Sequence, residues 1–100
     1  MKIKGVTSSE MEIIYSILSP YIDRYEFFFY GSRVKGDFRN LSDLDILVKS
    51  KDKINFDEIE KIKYQFDESD LSYLVNFTDY ESVSKDFYDL IKKDLVKLSK

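Results

Sequence analysis

Cysteine and histidine are both absent from these 100 residues. Without cysteine there is no disulfide framework and no thiolate nucleophile. Without histidine, Ser/His/Asp and Cys/His catalysis fall away together with the usual zinc ligands. Acid, base or metal chemistry in this chain therefore runs on carboxylates, lysine, tyrosine or hydroxyls. Proline occurs once and glycine three times, so few loops are available and most of the chain is expected in regular structure. No run approaches the ~20 apolar residues that span a bilayer. Nor is Met1–Lys4 followed by the continuous apolar stretch of a signal peptide. A cytoplasmic protein with no membrane role is the resulting expectation.

The chain is rich in aromatic and apolar groups, with eight Phe, eight Tyr and 43% hydrophobic residues. That content argues against disorder and supplies one modest core. A chain of this size buries roughly two-thirds of its unfolded surface, so one domain spanning residues 1–100 is expected. The net charge of −3 gives no excess of Lys and Arg for wrapping phosphates, and nucleic acid is not expected as a partner.

Ser9 with Glu12 fits a capping box, and Met11, Ile14, Ile17, Leu18 and Tyr21 recur at helical spacing. The pattern predicts a helix over 9–23, kinked or ended near Pro20. Tyr25–Tyr30 is a dense aromatic run that predicts a central strand, ended by Gly31. Leu44–Lys49 predicts a second strand. Asn55 with Glu58 predicts another capping box, opening a helix with Phe56, Ile59, Ile62 and Phe66 on its apolar face. Leu71–Thr78 predicts a third strand. Ser84 is a candidate cap for a final helix carrying Phe87, Leu90, Ile91, Leu95 and Leu98. The expected fold class is α/β (α+β): a small mixed sheet of three to four strands with helices packed on it.

Chemistry concentrates in Gly31-Ser32-Arg33-Val34-Lys35-Gly36 and in Ser42-Asp43-Leu44-Asp45-Ile46. Asp43 and Asp45 are two apart, so an extended backbone points both carboxylates to one face and Leu44 and Ile46 to the other. A divalent cation relieves the repulsion between them, and carboxylates with phosphate and water oxygens are the hard ligands Mg²⁺ takes. Gly31 allows a sharp bend and a close approach to a ligand. Ser32 offers a hydroxyl and an N–H. If Ser32–Lys35 forms a helical turn, its unpaired N–H groups make an anion site, and Arg33 and Lys35 add positive charge. Each piece alone has a plainer reading. Gly-Ser is often an ordinary turn, a lone pair of acids a solvated strand end, and loop Arg and Lys simply solvated cations.

The combination is specific. Gly31-Ser32, ten intervening residues, then Asp43-Leu44-Asp45 resembles the signature of the DNA polymerase β-like nucleotidyltransferase superfamily. The run GSRVKG…SDLDILV is similar to the minimal nucleotidyltransferases, which often accompany HEPN-domain partners. The resemblance covers nearly the whole chain. It implies phosphate contacts from Gly31 and Ser32, with Arg33 nearby, and metal ligation and catalysis by Asp43 and Asp45. It also implies transfer of a nucleoside monophosphate from a triphosphate such as ATP, assisted by two Mg²⁺ ions about 4 Å apart. The implied acceptor is a tyrosine hydroxyl on a HEPN-domain toxin, with this chain as its antitoxin. A homo- or hetero-oligomer is compatible with that reading.

One position departs from the family pattern. The family carries a third carboxylate on the strand after the long helix, and aligning Leu71–Val75 onto that strand puts Asn76 there. An amide brings no charge and does not usefully accept a proton. Asp79 lies three residues on and faces the other side of a regular strand. A site that binds Mg²⁺ and nucleotide but catalyses slowly or not at all is expected, and the competing hypothesis is a binding module that neutralises its partner by contact alone.

Overall fold

Along Leu44–Ser50 (β2), Leu44, Ile46 and Val48 are buried on one face and Leu47 is buried on the other. Tyr25–Tyr30 (β1) pairs with it antiparallel, Tyr30 opposite Asp45 and Phe27 opposite Val48. Val75–Asp79 (β3) lies parallel on the other side of β2, with Asn76 opposite Asp45. Val96–Lys97 (β4) adds antiparallel to β1, giving the mixed order β3-β2-β1-β4. These elements come from a computed structural model that describes residues 1–99.

Among the described residues four α-helices join the sheet: Ser8–Leu18 (α1), Ser32–Lys35 (α2), Phe56–Asp67 (α3) and Lys85–Ile91 (α4). Ile14 and Leu18 of α1 and Ile59, Ile62 and Phe66 of α3 bury against Tyr25, Phe27 and Phe29 of β1 and the inward residues of β2. That cluster is the core, and it occupies one face of the sheet. The opposite face carries Asp45, Asn76 and Tyr30, where Tyr30 meets Phe87 of α4 edge to face with ring centroids 6.0 Å apart. The site therefore stands at one end of the strands, on the face turned away from the main core. The sheet with its helices is the α+β arrangement expected.

Several boundaries differ from expectation, each for a physical reason. The capping box at α1 belongs to Thr7 and Glu10, not Ser9 and Glu12. Glu10 N–H donates to Thr7 Oγ1 at 3.1 Å, and Thr7 N–H to Glu10 Oε1 at 2.9 Å. The α-helix stops at Leu18 and a 3₁₀ turn covers Ser19–Tyr21, because Pro20 has no N–H to continue the ladder. Asn55 caps α3 by accepting from Glu58 N–H, but the Glu58 carboxylate does not return the bond. It accepts from the Tyr25 hydroxyl at 2.7 Å and pairs with Arg24 at 2.6 Å. Phe56 and Leu90, expected on apolar faces, are 66% and 71% exposed. The third strand begins at Val75 instead of Leu71. The final helix ends at Ile91, and Leu95 and Leu98 belong to the following segment, where Leu98 N–H donates to Phe27 O at 2.8 Å.

Candidate active site

The site begins where β1 ends. Gly31 has φ +88° and ψ −163°, a conformation open only to glycine. It precedes α2, whose four residues form the helical turn considered for Ser32–Lys35. Val34 and Lys35 N–H both donate to Gly31 O at 3.1 Å. The N–H groups of Ser32 and Arg33 are left without a backbone acceptor among the described residues. A Cβ built on Gly31 would collide with Asp45 Oδ2. The bend is therefore pressed against a carboxylate, with no room for a side chain. Gly36 closes the turn at φ +95°, and Lys35 is exposed.

Asp43 enters β2 and Asp45 is its second residue, so both carboxylates emerge on one side. Asn76 stands beside them on β3. Its Nδ2 donates to Asp43 Oδ2 at 2.8 Å and to Asp45 Oδ1 at 3.3 Å. The two acids converge on one point, occupied by an amide NH₂. That orientation is the one the charges require, since the carbonyl end would face two anions. Partial burial pushes the Asp45 pKa up, the Asn76 hydrogen bond pulls it down, and the Asp43 charge raises it; the net shift is upward. Asp79, the acid at the end of β3, accepts from Glu81 N–H at 3.0 Å and caps the following turn. It takes no part in the cluster.

Arg33 has a different position from a phosphate-binding cation. It is 3% exposed, and its guanidinium donates to four backbone carbonyls, those of Ser42 and Asn40 at 2.8 Å, Gly5 at 2.6 Å and Arg39 at 3.4 Å. Four of its five N–H donors are thus engaged inside the protein. Its planar head lies 3.6 Å from the centre of the Tyr73 ring. The sequence carried no sign of this, because a buried and a solvated loop arginine read alike when the acceptors are main-chain groups.

A glycine bend at the end of β1 and two converging carboxylates at the start of β2 stand side by side, an arrangement able to hold a polyanion through a cation. Residues 12–99 match the family described as "Polymerase beta, Nucleotidyltransferase". The chain belongs to that nucleotidyltransferase family. It is also 35% identical to a protein of Haemophilus influenzae named "Probable protein adenylyltransferase MntA", over 88% of this chain and 77% of that one. As a nucleotidyltransferase it works in a class that generally uses a divalent metal and a nucleoside triphosphate. The residues present fit such a cation: the two carboxylates are hard donors that converge on one point, and the Asn76 amide, whose NH₂ faces them, would offer its oxygen only after turning over. Among the described residues no group of three or more acidic, His or Cys ligands assembles. The donor set here is two carboxylates and Asn76. Among the described residues no helix is long and apolar enough to cross a membrane.

Proposed function

We propose that this nucleotidyltransferase moves AMP from Mg²⁺-bound ATP to a hydroxyl on a protein. The observation that carries the reading is the convergence of Asp43 and Asp45 against the Gly31 bend. Asp43 and Asp45 would hold the cation, which would supply positive charge against the triphosphate. The N–H groups and hydroxyl at Ser32 hold phosphate oxygens, and Gly31 lets them approach. The acceptor oxygen bonds to the α-phosphorus, the bond from that phosphorus to its bridging oxygen breaks, and pyrophosphate leaves. The hydroxyl proton passes to solvent, because Asn76 does not take it. Positioning supplies most of the rate.

A protein acceptor is supported by the name of the Haemophilus relative, which specifies protein adenylylation. The acceptor proposed is a tyrosine of a HEPN-domain toxin, with this chain acting as the antitoxin in the cytoplasm. Asn76 supports a second reading, neutralisation of that partner by contact, since an amide lies between the two acids. Incubation with labelled ATP and the partner separates them. Transfer predicts label on the partner, lost in Asp43→Ala with Asp45→Ala. Unlabelled partner that is still neutralised by the double variant would sink transfer and leave contact.

A further inference from the structure

Arg33 is the one charged side chain buried among the described residues, and it has no carboxylate partner. An unpaired buried cation is unfavourable unless dense hydrogen bonding replaces its water. Here four carbonyls and two ring faces do so, Tyr73 at 3.6 Å and Phe38 at 5.1 Å from the guanidinium carbon. The identity of these partners is informative. Arg39, Asn40 and Ser42 belong to the loop that delivers Asp43, and the Ser42 carbonyl lies in the peptide joining Ser42 to Asp43. Tyr73 lies three residues before Asn76, on the approach to β3. Gly5 comes from the N-terminal segment. It also donates its N–H to Arg33 O at 2.8 Å, and a Cβ there would meet the Arg33 backbone at 2.7 Å.

From these contacts we infer that Arg33 is a positioning residue: it holds the Asp43 loop against the entry to β3, so that the Asp43 and Asp45 carboxylates and the Asn76 amide stay in register. The planar fork matters more than the charge. Four acceptors arranged around one plane, with a ring stacked on it, match a guanidinium and not an ammonium, which lacks both plane and fork. The Tyr73 ring stays neutral beside it, since burial and the Glu10 charge push that phenol up to about 12. Arg33 touches no reacting atom in this arrangement. It acts through the Ser42 carbonyl on one side and the Tyr73 ring on the other. This inference rests on the site reading above for its consequence, but not for its geometry.

Two readouts test it on the full chain. The first is the pair of Asn76 side-chain amide proton signals, assigned by their disappearance in Asn76→Asp. The second is Mn²⁺ affinity in the presence of a non-hydrolysable ATP analogue. In Arg33→Lys that keeps wild-type circular dichroism, the Asn76 signals are expected to move to free-amide positions and Mn²⁺ affinity to fall at least tenfold. Millimolar methylguanidinium, and not methylammonium, restores both in Arg33→Ala. If the Arg33 variants do not fold, Tyr73→Leu removes the stacking face and is expected to change both readouts in the same direction. Ile62→Val, a remote core change, is expected to lower stability and leave both readouts alone. Unchanged Asn76 signals and affinity in a folded Arg33→Lys, or equal losses in Ile62→Val, overturn the inference. A wild type that binds no Mn²⁺, while Arg33→Lys still shifts the Asn76 signals, sinks the nucleotide-site reading and leaves the positioning role standing.

Discussion

At position 76 a carboxamide sits between two carboxylates, and it differs from them in basicity. It donates two hydrogen bonds that steady Asp43 and Asp45, but it does not remove a proton from an acceptor hydroxyl. General-base assistance is typically worth 10²–10⁴-fold. Asn76→Asp is therefore expected to raise the transfer rate about a hundredfold, and to give a rate that levels off above the new carboxylate's pKa. The wild-type rate should keep climbing with pH; a pH–rate profile over both proteins checks this, and identical profiles would remove Asn76 from the chemistry. Asp45 gives a second prediction. Burial raises its folded pKa above the unfolded value, so the native state holds the proton more tightly than the unfolded chain. Its contribution to stability is greatest at low pH and is lost as pH rises through the raised folded pKa. Asp45→Asn is expected to raise the neutral-pH melting temperature. Melting curves at pH 7 and below pH 4 check the sign, and the gap should close at the lower pH.

Among the elements, the β1–α2–β2 unit was the most legible in the sequence. Alternation placed Leu44 and Ile46 inward and the two acids outward, and Gly31 marked the bend. What the sequence hid was mostly long-range. Two residues of β4 show no periodicity, and their pairing with Phe28 and Phe29 is set by the core, not by local preference. Leu71–Leu74 looked like strand because its apolar spacing suits one, yet Tyr73 is taken up by the Arg33 stack and regular pairing starts only at Val75. The α1 cap was ambiguous for a local reason: Thr7-x-x-Glu10 and Ser9-x-x-Glu12 both satisfy the same pattern. Thr7→Ala should therefore lower stability by about 1 kcal/mol, and Ser9→Ala by much less, in urea melts. Gly31→Ala is the sharper test of the bend. Strain at positive φ and the collision with Asp45 should lower stability by about 1–3 kcal/mol and abolish nucleotide binding.

On the scale of the whole molecule, a four-stranded sheet with helices on its faces leaves the Asp43–Asp45 end of the strands open. Under the proposed function, nucleotide enters there and the partner's hydroxyl has to reach the same end. The sheet also has two edges. At one of them β4 covers β1 through Leu98 N–H and the Lys97–Glu26 pair at 2.8 Å. Removing Val96–Leu98 should bare β1 and promote edge-to-edge aggregation, seen as light scattering at concentrations where the full chain stays monodisperse. The measurement that bears most directly on the site is Mn²⁺ titration by electron paramagnetic resonance, with and without a non-hydrolysable ATP analogue. Wild type is expected to bind Mn²⁺ tightly only when the analogue is present, and Asp43→Asn with Asp45→Asn to lose that binding while remaining folded. Equal Mn²⁺ affinity in wild type and the double variant would contradict a cation–triphosphate site at these two acids.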